Sequence, residues 1–145
     1  MPKFNFCGLR PRKPKKLPKY DDDFDVFCKW NDDENTFNCV VPLDKEDFKD
    51  VIKEADLALI FFFHPELPDM EKGRQNFYQA ALHSQRKNHI FGSLNCLEEP
   101  EICCKVGIET VPTMKLFAGR RVAGEKDPTA IDYMSILKWM DSFRI

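Results

Sequence analysis

Six cysteines, Cys7, Cys28, Cys39, Cys96, Cys103 and Cys104, are the residues of this 145-residue chain best equipped for chemistry. A cysteine thiolate attacks disulfides, ligates metals and serves as a nucleophile, and spacing decides among these uses. No two cysteines enclose two residues, so neither a C-x-x-C redox motif nor half of a zinc site is present. The three histidines, His64, His83 and His89, have no helical ligand spacing, and no cysteine is arranged to complete a tetrahedral site with them. No metal and no cofactor is therefore expected. A glycine-rich phosphate loop is absent, and no Ser-His-Asp arrangement can be argued. Cys7 and Cys28 could pair with each other, pair with a partner or stay free. Cys39 falls in a β-rich run and reads as a buried thiol.

Patterning places these residues on elements. Before Asn35 the chain is charged and irregular. Met1 to Lys19 holds seven Lys/Arg, four Pro and no Asp or Glu, whereas Tyr20 to Asn35 holds seven Asp/Glu and one Lys. Residues 1–35 thus read as a Pro-containing, partly disordered arm, solvated or used for docking. Phe24, Phe27 and Trp30 have the spacing of one helical face. Residues 36–145 are regular. Phe37–Val41 is β-rich, and Asp44 opens a helix with Asp47 three positions on. Phe48, Val51, Ile52 and Ala55 share that helix's inner face. Leu57–Phe63 is apolar without a break, as in a strand covered on both sides. A long helix follows with Phe77, Ala80 and Ala81 inward, then a strand at His89–Leu94 and a short helix at Glu98–Lys105 with Pro100 in its first turn. Thr113–Ala118 alternates as a strand, and Arg120–Ala123 returns as an edge strand. Thr129 and Asp132 open the last helix, whose stripe is Tyr133, Ile136, Leu137 and Met140. The order βαβαβαββα predicts an α/β fold with a mixed sheet flanked by helices.

Composition narrows function. The net charge of −2 offers no global field for nucleic acid or an anionic membrane, and the Pro-rich basic run Arg10–Lys19 reads as a solvated tail. No apolar run has the length of a membrane span. The first residues, MPKFNFCGLRPRKPKK, contain no apolar stretch of signal-peptide length, which favours a cytoplasmic protein if the chain is read as complete. Six cysteines in one small domain point the other way, toward an oxidising compartment.

The segment from Asn95-Cys96 through Cys103-Cys104, Gly107, Val111, Pro112 and Thr113 to Phe117 resembles the thioredoxin-like domains of the protein disulfide isomerase family. That family reads Asp-Cys, six residues, Cys, then Gly-Val/Ile, three residues and Pro-Thr before an apolar strand. The resemblance extends over about residues 36–143 and implies the thioredoxin-like three-layer fold. Within it, Phe62-Phe63-His64-Pro65-Glu66-Leu67-Pro68-Asp69-Met70 aligns without a gap on the family's Phe-Tyr-Ala-Pro-Trp-Cys-x-x-Cys. Glu66 stands at the Trp position, and Leu67 and Met70 stand at the two Cys positions. Phe61 stands where the family keeps a buried, proton-relaying Glu.

What the resemblance implies is therefore a degenerate active-site motif, Glu66-Leu67-Pro68-Asp69-Met70, without catalytic residues. Leu67 and Met70 cannot ionise or form a disulfide. Pro112 aligns with the fold's cis-proline, and the family's substrate groove maps onto Phe63, His64, Pro65, Glu66, Leu67, Val111, Pro112 and Thr113. Exposed Leu67 and Val111 there would receive an extended peptide. Cys96 and Cys103 match a structural disulfide of some members, which leaves Cys104 as a free, buried thiol. The expected protein is a redox-inactive, chaperone-like or scaffold domain that binds polypeptide in the endoplasmic reticulum lumen, its oligomeric state open. Two rivals remain: an atypical thiol oxidoreductase using other cysteines, and a cytosolic adaptor docking through its arm.

Overall fold

Each residue of Leu57–Phe63 is buried, and the fold is arranged about that strand. The computed structural model describes residues 5–11, 29–31, 36–38, 40–68, 70–84 and 89–143. In chain order these contain β1 (Lys29–Asn31), β2 (Thr36–Asn38), β3 (Val40–Pro42), α1 (Lys45–Glu54), β4 (Leu57–Phe63), α2 (Glu71–His83), β5 (His89–Asn95), α3 (Pro100–Lys105), β6 (Thr113–Ala118), β7 (Arg121–Lys126) and α4 (Tyr133–Asp141). β1 and β2 pair antiparallel as a separate two-stranded sheet. The main sheet has the order β3-β5-β4-β6-β7. β4 runs parallel to β5 and antiparallel to β6, so the sheet is mixed. From β3 onward the order is βαβαβαββα, the thioredoxin-like architecture.

Successive strand residues point to opposite faces, so an all-apolar strand needs apolar cover on both. Phe62 meets Phe48 of α1 at 6.5 Å between ring centroids, and Phe48 meets Phe117 at 5.5 Å. On the other face Phe61 stacks on Phe77 of α2 at 5.2 Å, and Phe77 reaches Phe91 at 5.8 Å. α4 lies against α2, where His83 stacks on Tyr133 at 4.7 Å. α3 is tied to the start of α1 by Lys45 Nζ to Glu101 Oε2 at 3.2 Å. Gly92 marks a close approach in β5: a Cβ there would stand 2.6 Å from Leu43 Cδ1.

Three local expectations are corrected. Phe37–Val41 is not one strand; residues 36–38 pair with β1, whereas Val40–Pro42 joins the main sheet beside β5. Trp30 lies in β1 rather than on a helix, opposite Phe37, because the segment finds a strand partner; Phe24 and Phe27 lie outside the described residues. The last helix is capped by Asp132, which accepts from Ser135 N at 2.8 Å. Thr129 instead donates its N–H and hydroxyl to Asp127 in the preceding turn. At the first helix Asp44 accepts from Asp47 N at 2.8 Å, the side-chain cap its type and place suggest.

Candidate functional site

The loop after β4 brings the degenerate motif to the start of α2. A turn closes from Leu67 N to His64 O at 3.2 Å, and Glu66 N donates to His64 Nδ1 at 3.2 Å. Glu66 and Pro68 are exposed, while His64, Pro65 and Leu67 are half-buried. Asp69 lies outside the described residues. Met70 occupies the N-cap position of α2 without a side-chain cap bond and is 5% exposed, its thioether in the core. A helix N-terminus favours negative charge and would stabilise a thiolate. Here that charge is the carboxylate of Glu71, which Arg74 grips through Nε at 2.9 Å and through Nη2. The Arg74 hydrogen bond holds the Glu71 carboxyl below its usual range, against the opposing effect of burial. Arg74 is itself buried and lies 5.3 Å from the Tyr78 ring centroid.

The Val111–Pro112 peptide is cis. Pro112 is buried against the first turn of α2: a Cβ on Gly73 would stand 3.1 Å from Pro112 Cγ and 3.0 Å from Pro128 Cγ. Val111, expected to be exposed, is 3% exposed, because the residue before Pro112 turns its side chain into the core. Phe63 is buried too, and it lies beside Phe61 at 5.8 Å. Thr113 is half-buried and its hydroxyl donates to Thr110 O at 2.8 Å. The proposed groove residues thus divide. Phe63, Val111 and Pro112 are buried, whereas His64, Pro65, Glu66, Leu67 and Thr113 reach the surface. Beside Pro112 opens a cleft of about 350 Å³ bordered by Ile108, Glu109, Thr110, Thr113 and Asp127. A second, of about 300 Å³, lies at the ends of β3, β4 and β5 between Leu43, Phe63, Tyr78, Ser93 and Glu98. Glu109 and Asp127 were not singled out from sequence; only the return of β7 beside β6 brings them to one cleft.

Sulfur is concentrated elsewhere. Cys96 and Cys103 form a disulfide with Cα atoms 5.8 Å apart, both cysteines fully buried. Cys96 N donates to Phe63 O at 2.8 Å, which fixes the bridge beside the end of β4. Cys104, expected to be a free buried thiol, is bonded to Cys7 with Cα atoms 4.8 Å apart. Neighbouring helical residues point about 100° apart. Cys103 therefore enters the core while Cys104 faces outward, where residues 5–11 fold back. Phe6 in that segment is 3% exposed, so this part of the expected solvated arm packs on the domain. Cys28 and Cys39 lie outside the described residues. Among the described residues no group of three or more His, Cys, Asp or Glu is placed to hold a metal ion, and no helix is long and apolar enough to cross a membrane.

A sequence-missed residue near this face is Lys115. It is 9% exposed in the middle of β6, with Nζ donating to Val106 O at 2.6 Å and standing 3.4 Å from Glu125. An isolated Lys in an alternating strand carries no signal that its ammonium will cap the end of α3.

The fold, the cis-proline loop and the altered helix tip define a class: thioredoxin-like domains without a cysteine pair at the tip. No protein-family model matches the chain. Protein disulfide-isomerase of Humicola insolens is 36% identical over 84 residues, covering 58% of this chain and 17% of that protein. That of Aspergillus oryzae is 35% identical over 80 residues, covering 55% of this chain and 16% of that protein. The chain therefore spans only 16–17% of the length of these two curated relatives. Among solved structures, human ERp44 superposes with a TM-score of 0.62 at 18% identity, over 71% of this chain and 29% of that one. The J-Trx1 fragment of ERdj5 gives 0.62 at 16% identity, over 71% and 50%. Thioredoxin f of spinach chloroplast gives 0.62 at 21% identity, over 72% and 86%. The chain has the thioredoxin-like fold and is similar in sequence to protein disulfide-isomerases.

Proposed function

We propose that this domain holds polypeptide rather than exchanging disulfides at its helix tip, in a chaperone-like or scaffold role within the endoplasmic reticulum lumen. The observation that carries the proposal is Met70. Its side chain sits in the core at the N-terminus of α2, where a resolving thiol would have to stand, and Leu67 replaces the attacking thiol. Phe61, stacked on Phe77, cannot relay protons. An extended peptide would cross the exposed His64–Pro68 loop and the Thr110–Thr113 loop, meeting backbone groups there. The two disulfides support an oxidising compartment. No cofactor or metal enters this function.

Insulin reduction tests the proposal. Turnover should stay at background, while a carboxymethylated, permanently unfolded polypeptide should bind and be lost on Leu67→Asp substitution. Turnover above background refutes the claim for the tip. A second possibility, an atypical thiol oxidoreductase, is favoured by one observation: Cys7 is exposed and disulfide-bonded. Loss of such turnover in Cys7→Ser would identify it.

A further inference from the structure

The two disulfides meet at adjacent residues of α3 but live in different surroundings. Cys96 and Cys103 are fully buried, whereas Cys104 is half-buried and Cys7 exposed. Disulfide exchange requires a thiolate to reach one sulfur in line with the bond, so access separates the pair that can react from the pair that cannot. The Cys96–Cys103 bridge closes a separation of 7 residues within one packed unit, whereas Cys7–Cys104 spans 97 and ties the segment carrying Phe6 to α3. That segment is shaped locally: Cys7 N donates to Asn5 Oδ1 at 3.0 Å, Leu9 N reaches Phe6 O at 3.4 Å, and Gly8 turns the chain at φ +80°. Its anchor is Phe6, buried beside Cys7, while Leu9, three residues beyond Phe6, is 55% exposed. Phe6, Leu9 and Arg10 border a cavity of about 180 Å³ with His64, Leu97 and Pro100. His64 is the first residue of the altered tip loop.

We propose that Cys7–Cys104 is a thiol-exchange site whose substrate is a dithiol reductant, and that its reduction releases residues 5–11 and unseats Phe6 from the side of the tip loop. One thiolate of the dithiol attacks Cys7 Sγ, breaking the bond to Cys104, which leaves as a thiolate and takes a proton. The reductant's second thiol then attacks the mixed disulfide, releasing Cys7 as a thiol. The dithiol is oxidised to a disulfide by two electrons, and the protein gains two thiols. Cys96–Cys103 stays closed. This goes beyond peptide holding and does not depend on it.

The full-length oxidised chain is equilibrated with graded dithiothreitol, alkylated and mapped by mass spectrometry. Cys7 and Cys104 should label together at about tenfold lower dithiol than Cys96 and Cys103. Simultaneous labelling of all four, or earlier labelling of Cys96 and Cys103, overturns the assignment. Hydrogen exchange under the selective condition should show residues 5–11 losing protection while β4 keeps it; a segment that stays protected overturns the release. Phe6→Ser, with both disulfides intact, should lower the dithiol needed for Cys7–Cys104 further. An unchanged requirement means Phe6 is no part of the latch and overturns that part.

Discussion

The tip of α2 and the outer face of α3 present opposite solutions for sulfur. At the tip, a helix N-terminus offers the dipole and free N–H groups that favour a thiolate, but the residues there are Leu67 and buried Met70. On α3, Cys103 and Cys104 lie in the last turn, where the dipole disfavours a thiolate, and both are in disulfides. The contrast is one of place: the described disulfides hold chain segments together at α3, and the start of α2 carries no sulfur able to ionise. Glu71 and Arg74 supply the charges at that helix start.

The comparison breaks most directly if the tip regains its chemistry. Leu67→Cys/Met70→Cys should turn background insulin reduction into measurable turnover, because the fold still supplies the helix terminus and the cis Val111–Pro112 peptide. Absence of turnover would mean that more than the thiols is missing, with Phe61 the first suspect. Phe61→Ala removes the ring between Phe63 and Phe77 and should cost about 3–5 kcal/mol in denaturant unfolding. On the sulfur-bearing side, Cys96→Ala/Cys103→Ala should cost about 2–4 kcal/mol in denaturant unfolding, since it removes a fully buried bridge and opens the core around it. Asp44→Ala should cost about 1 kcal/mol through the lost N-cap of α1.

The smallest effect sharpens the comparison through pH. Burial, then the charges of Asp44 and Glu98, raise the Glu99 carboxyl at the start of α3 above its usual value. A carboxyl raised on folding binds its proton more tightly in the native state, so ionising it weakens the fold. That penalty is absent below the unfolded carboxylate value and develops as pH rises through the folded one. Glu99→Gln should therefore gain stability slightly at pH 7 and not at pH 3, as read by thermal unfolding at both. Equal effects at the two pH values would show that packing, not charge, distinguishes the site.

Much of the frame was legible because local rules act on local residues. Leu57–Phe63 declared a strand covered on both faces, and Asp44 declared a helix start. Asp132 and Thr129 show the limit: both are cap-forming types three apart, and only the turn closed by Asp127 decides which one caps. The split of residues 36–42 between two sheets was illegible for a similar reason, since a β-rich run does not name its partner strand. Leu67 and Met70 could be placed at the tip by alignment, yet that Met70 turns inward and Val111 lies buried depends on what packs around them.

By itself the sequence determined which positions cannot carry thiol chemistry, because an aliphatic or thioether side chain lacks an ionisable sulfur wherever it is placed. It also determined the alternation of strands and helices, since period and capping are properties of neighbouring residues. Only the tertiary structure decided that Cys104 meets Cys7 across 97 residues and that Phe6 is part of the core. Pairing over that distance depends on which surface the folded domain offers to a returning segment, and no local pattern encodes that surface.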